Sequence, residues 1–150
     1  MPIIDGAAQG LYAAQGDVQD IFGATNIALW SQLDPTQPAG TADVNRIQRG
    51  LDYADATIIS TFLNYGNYAV PLEPQGSDVV LVTRWGATLA GVWLYDSRGQ
   101  RDVAAHGQPA PLHKYEMMRR AVIAEMCGYR GSNKLNATRR WPTPTAPAAT

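Results

Sequence analysis

The chain has 150 residues, 45% hydrophobic composition, one cysteine and a formal net charge of −1. That is enough for one domain with a real core and too little for two comfortable ones. It excludes an internal disulfide, and it lacks the overall basic field that would favour nucleic acid or an anionic membrane.

Residues 1–16 are small, Gly-rich and without period, which predicts a flexible N-terminal arm. Asp17 is placed to cap a short helix carrying Val18, Ile21 and Phe22 and closed by Gly23. Thr25 is placed to cap a second one carrying Ile27, Ala28, Trp30 and Leu33, before Asp34-Pro35 and Pro38-Ala39-Gly40 force a loop. From Thr41, read as a cap, apolar residues recur at Val44, Ile47, Leu51, Ala54, Ile58 and Phe62, one stripe of a long amphipathic helix. Its polar face offers Asp43 with Arg46 and Arg49 with Asp52, pairs worth a few tenths of a kcal/mol each. Asn64–Asp78 is a turn-rich connection, docked by its tyrosines and Pro71-Leu72.

Ser77 or Asp78 then caps a central helix running to about Ser97 and apolar on nearly all sides. Gly86, Ala87, Ala90 and Gly91 are small enough for neighbouring helices to approach, with Trp85, Leu89, Trp93 and Tyr95 filling the space around them. Val79–Tyr95 is apolar apart from Arg84 and two threonines, but it is shorter than the roughly 20 residues a spanning helix needs, so a buried core helix and no membrane are expected. Arg84 requires a carboxylate, for which Asp52 or Asp55 of the preceding helix is in line. Gly99–Pro111 reads as an exposed loop. A last helix from near Leu112 buries Leu112, Tyr115, Met118, Val122 and Met126, pairs Glu116 with Arg120 outside, and ends at Gly128 or Gly131. Asn133–Thr150, rich in Pro, Thr and Ala, is tail or docking strand. The expected fold is therefore all-α: two short N-terminal helices and three longer core helices in a bundle over residues 17–131, with an arm at 1–16 and a Pro-rich tail at 132–150.

No constellation for chemistry emerges. Asp52 and Asp55 resemble an acid/base pair but have no His, Lys or metal ligand at matched spacing. His106 and His113 are separated by a Pro-Gly loop with no second ligand cluster, so no metal is expected. Cys127 lies next to the last helix's apolar stripe without a paired His, which favours a buried thiol. Neither a phosphate-cradling loop nor a dinucleotide fingerprint occurs, so no cofactor and no enzymatic activity are expected.

Charge distribution is more telling than its sum. Residues 1–80 carry nine acidic side chains against Arg46 and Arg49, whereas from Lys114 onward seven basic side chains face only Glu116 and Glu125. This asymmetry suits head-to-tail contact between identical copies, or a basic tail meeting an acidic partner. Arg130, Lys134, Arg139, Arg140 and Trp141 are the interface candidates, because Arg and Trp are over-represented at interface hot spots.

Several stretches, in this order, resemble the small head-tail connector proteins of tailed bacteriophages, including the Mu-like prophage type. Gly16–Gly23 is similar to the family's opening helix ending in Phe-Gly, and Arg46–Ile58 to its long helix of Ala, Asp and Ile. Tyr68-Ala69-Val70-Pro71-Leu72 resembles its Pro-Leu turn, and Trp85–Tyr95 its following buried helix. The likeness covers roughly Gly16 to Leu135; Asn64-Tyr65-Gly66-Asn67, the long Gly99–Pro111 loop and the Pro-rich tail depart from it. It implies a structural virion protein made in the bacterial host cytoplasm. Such a protein forms a homo-oligomeric ring, a dodecamer, at the neck beneath the portal protein after DNA packaging, and presents a platform to tail or stopper proteins. The lumen of such a ring could touch packaged DNA. The competing expectation is a small nucleic-acid-binding regulator using the basic C-terminal region, distinguished by salt-dependent DNA affinity lost on neutralising Arg139 and Arg140.

Overall fold

Among the described residues the chain forms five helices: α1 Gln15–Phe22, α2 Ala24–Ser31, α3 Val44–Leu63, α4 Asp78–Asp96 and α5 Lys114–Arg130. The computed structural model describes residues 6–34, 36–38, 40–63, 67–98 and 114–140, and among these no strand occurs, only two isolated backbone bridges. The all-helical bundle expected from the periodicity is the fold. The loop over Gly99–Pro111, His106, His113, Leu112 and Trp141 lie outside the described residues.

In α3 the stripe does what its spacing requires: Ile47, Leu51, Ala54, Ile58 and Phe62 are buried, and only Val44, in the first turn, stays partly exposed. The helix is capped by Asp43 rather than Thr41. Its Oδ1 accepts the N–H groups of Asn45 and Arg46 at 3.0 and 3.3 Å, the two donors that a side chain immediately before the first helical residue can reach. A similar offset applies to α1. Asp17 stands third in the helix and reaches back to accept the Ala14 N–H at 2.8 Å, the return half of a capping box. Thr25 lies within α2, which starts straight after Gly23, a residue at φ 89° where a side chain would be strained.

α4 packs against each of the other four helices, which is why its apolar residues point in nearly every direction. Its small residues permit this. A Cβ at Gly91 would stand 2.0 Å from the Phe22 ring of α1, and one at Gly86 would stand 3.2 Å from the Ala13 methyl. Arg84 pairs neither with Asp52 nor with Asp55. It donates to Glu125 of α5 at 2.8 Å, and its side chain remains half-exposed because it sits at the edge of the α4–α5 seam rather than in the core. Glu125 also accepts the buried Trp85 indole N–H at 3.0 Å. On α5, Val122 and Met126 are buried while Tyr115, Met118 and Cys127 are half-buried, so the thiol is less enclosed than expected. The Glu116–Arg120 pair forms at 3.5 Å, but Arg119 is the closer partner. Its Nε donates to both carboxylate oxygens, at 3.1 and 2.9 Å, and this bonding holds the Glu116 carboxyl below its usual range. Gly128 lies inside α5, which ends at Arg130 and the turn through Gly131.

The free arm is a correction. From Gly6 on, the N-terminal segment is packed into the bundle, with Ala8, Tyr12, Ala13 and Ala14 buried. A tight turn closed by Gly10 N–H donating to the Ala13 carbonyl at 2.8 Å sets it against α3. There Gln48 exchanges two amide hydrogen bonds with the Gln9 backbone at 3.0 and 2.9 Å, and Asp55 accepts the Leu11 N–H at 2.8 Å. Small residues without period looked structureless, yet their smallness is what lets the backbone lie close against two helices.

Candidate interface

The C-terminal segment turns back onto the bundle instead of leaving it. Tyr68, buried in the α3–α4 connection, donates its hydroxyl to the Ser132 carbonyl at 2.6 Å and accepts the Leu135 N–H at 3.2 Å. Leu135 is thereby drawn into the core. Beyond it the backbones run antiparallel. Gln75 N–H donates to Asn136, Thr138 N–H to Glu73 and Ala69 N–H to Thr138, at 2.8, 3.1 and 2.8 Å, with Pro74 opposite Ala137. Of the two expectations for Asn133 onward, tail or docking strand, residues 133–140 therefore dock on their own chain.

This docking uses part of the charge complementarity noticed in the sequence. Asp78 accepts the Asn136 N–H at 2.7 Å and Glu73 accepts the Thr138 hydroxyl at 3.1 Å, so two acids of the first half hold the basic segment intramolecularly. Arg139 donates to the Asn133 side chain at 2.6 Å and to its carbonyl at 3.0 Å, and it lies 6.0 Å from the Tyr68 ring. Arg130 and Arg140 are half-buried, whereas Lys134 is exposed. Lys134 borders a shallow cleft of about 230 Å³ with Glu125, Gly128, Tyr129 and Ser132. The structure thus brings Arg130, Lys134, Arg139 and Arg140 to one edge of the bundle.

The acidic pair on α3 has a structural occupation. Asp52 accepts the Gln48 amide at 3.0 Å, and Asp55 holds the N-terminal turn. Burial pushes the Asp55 carboxyl above its usual range, against the opposing effect of the Leu11 and Tyr12 N–H groups, with Asp52 adding to the rise. Tyr12 is pushed up to about 12 by its burial, its hydroxyl turned toward the Leu72 backbone without a well-formed hydrogen bond. Among the described residues, no three His, Cys, Asp or Glu side chains gather as metal ligands, and no helix is long and apolar enough to cross a membrane.

A second surface, missed in the sequence, lies at the other end of α4. Phe22, Trp30, Tyr95 and Tyr115 meet there edge to face, with ring centroids 4.9 to 5.7 Å apart. Arg98 lies 3.4 Å over Tyr95 and Lys114 4.9 Å over Tyr115. Beside the rings, Leu29, Trp30, Leu33, Tyr95 and Arg98 line a groove of about 320 Å³, flanked by Leu29 at 68% exposure. The only sequence signal was Leu29, off the α2 stripe next to a tryptophan. The chain matches no protein-family model, no curated protein and no solved structure.

Proposed function

We propose that this chain is a structural virion component that forms a ring at the head-tail junction of a tailed bacteriophage. In that role it joins the portal to tail or stopper proteins after DNA packaging and performs no catalysis. One observation carries the reading. The stretches that bear the resemblance supply, in chain order, interior elements of one bundle: α1, α3, the Tyr68–Leu72 connection and α4. Their shared place in one packed bundle, in the order the resemblance requires, is what supports the reading. Charge left at the surface supports the same role, since Lys134 stands exposed at the C-terminal edge while acids dominate the first half of the chain. Such an arrangement favours heterologous contacts between copies, which close into rings.

An electron-microscopy map of the purified particle tests this. Density for the five-helix bundle, repeated around the axis between portal and tail, is the expected result. A neck built without this chain would end the proposal.

A further inference from the structure

We propose that Leu11 of one copy is a knob that enters the shallow cleft between α5 and the C-terminal segment of the next copy, with Asp52 beside it facing that copy's Lys134. The inference rests on the self-association in the reading above and names the contact through which copies join.

Single exposed leucines are common on protein surfaces and need no explanation. Leu11 differs in standing 58% exposed on a turn whose backbone is fixed at three points. Gly10 N–H closes the turn on the Ala13 carbonyl, Leu11 N–H is donated to Asp55, and Gln9 exchanges two amide hydrogen bonds with Gln48. A side chain carried on backbone that is already fixed loses little freedom on docking. Asp52 accepts the Gln48 amide at 3.0 Å and is itself exposed, so its carboxylate stands with that of Asp55 beside the leucine.

The cleft complements this knob in shape and charge. It is lined by the half-buried Tyr129, whose ring packs 5.6 Å from that of Trp85, and by exposed Gly128, where nothing lies within 4 Å of the position a Cβ would take. Its volume of about 230 Å³ exceeds the roughly 150 Å³ of a cavity that holds one benzene ring, so an aliphatic side chain fits. Glu125 at its edge already accepts from Arg84 and from the Trp85 N–H, which leaves exposed Lys134 as the charge that a partner meets. An apolar centre with opposite charges at its rim is the ordinary make-up of a protein interface.

Geometry makes the contact one between copies. The N-terminal turn lies on the Gly86 side of α4, where a Cβ would stand 3.5 Å from that of Tyr12. The cleft lies on the Arg84 side, beside the Arg84–Glu125 ion pair. Residues two apart on a helix point about 200° apart, so knob and cleft occupy opposite flanks of α4. Two different surfaces that fit each other from opposite flanks make a heterologous contact, which repeats from copy to copy.

Sedimentation equilibrium of the full chain at low salt tests this. The parent should self-associate, Leu11→Ala should do so about tenfold or more weakly, and Leu29→Ala, which truncates a still more exposed leucine elsewhere, should match the parent. Asp52→Lys and Lys134→Asp should each weaken association, and the double variant should recover most of the loss, because the exchanged charges again face each other. All four positions are exposed, so helical circular dichroism should stay that of the parent. A monomeric parent, no loss from Leu11→Ala, an equal loss from Leu29→Ala, or a double variant no better than its singles would each overturn the inference. Particle microscopy reads the neck assignment separately: a neck ring with association indifferent to Leu11 keeps that reading and removes this one, and association through Leu11 with a neck built without this chain does the opposite.

Discussion

At Gly91 the missing side chain is what lets the Phe22 ring lie against α4. Gly91→Ala would gain a little helix propensity but place a methyl inside the ring's van der Waals envelope, and overpacking costs about 1–3 kcal/mol. A fall in the thermal midpoint is expected, at about 2–4 °C per kcal/mol for a chain of this size. Partial recovery in a Gly91→Ala, Phe22→Leu double variant would assign the loss to that contact. Glu125 gives a second residue-scale expectation. Arg84→Ala removes only a half-exposed ion pair, worth under about 1 kcal/mol, whereas Glu125→Ala also strands the buried Trp85 N–H and should cost about 1–3 kcal/mol. Equal losses in denaturant titrations of the two variants would contradict this account. Asp55 separates acceptor from charge. Asp55→Ala leaves two backbone donors of the N-terminal turn without their acceptor, for about 1–3 kcal/mol, while Asp55→Asn keeps an acceptor and removes a charge whose burial is unfavourable. Because the folded-state pKa is raised above the unfolded one, ionising Asp55 lowers stability. Asp55→Asn should therefore be at least as stable as the parent at neutral pH. Its advantage should shrink as pH falls through the raised Asp55 pKa toward the ordinary aspartate value, where the parent becomes protonated.

Elements differ in how legible they were. The α3 stripe from Ile47 to Phe62 and the paired Val122 and Met126 of α5 followed from periodicity, because a helix's burial depends on residues three and four apart on one short stretch of chain, and the continuous burial of α4 from Trp85 to Val92 followed from its nearly unbroken apolar composition. Capping was read less well. Thr41 and Asp17 are both capping-competent residues, but which one serves depends on where the helix begins, and that is set by neighbouring packing. Of the two segments without period, the N-terminal one was misread and the C-terminal one left open between tail and docking strand, because their order comes from distant partners: Gln48 and Asp55 for residues 9–11, Tyr68 and Glu73 for residues 135–138. No local pattern encodes a backbone bond to a side chain sixty residues away. Arg84 was paired wrongly for the same reason, since which helix lies on which side of α4 is a tertiary fact. At this scale Tyr68→Phe is the informative variant. It removes the hydroxyl that both donates to Ser132 and accepts from Leu135, for about 1–3 kcal/mol. Hydrogen exchange should accelerate most at residues 133–138, with α3 and α4 less affected.

For the whole molecule, the candidate residues at the C-terminal edge were half legible. The sequence offered Arg130, Lys134, Arg139, Arg140 and Trp141 as interface candidates, but could not say that Arg139 is committed to Asn133 while Lys134 is exposed. If that edge joins copies through opposite charge, self-association measured by sedimentation should weaken as salt rises, since exposed charges are screened beyond about 10 Å at 0.1 M. Lys134→Glu should weaken it further at low salt, and Arg139→Gln should instead loosen residues 133–139. Association indifferent to both salt and Lys134 would count against the charged edge.

The return of residues 133–140 across the α3–α4 connection also imposes a schedule on synthesis. A ribosome that has exposed only the first four helices holds a chain in which the Tyr68 hydroxyl and the seat of Leu135 are still unfilled. Domains close as units as their last segments emerge. This fold can therefore be sealed only after Leu135 has cleared the exit tunnel, which delays completion of its basic edge until the whole helical body has been made.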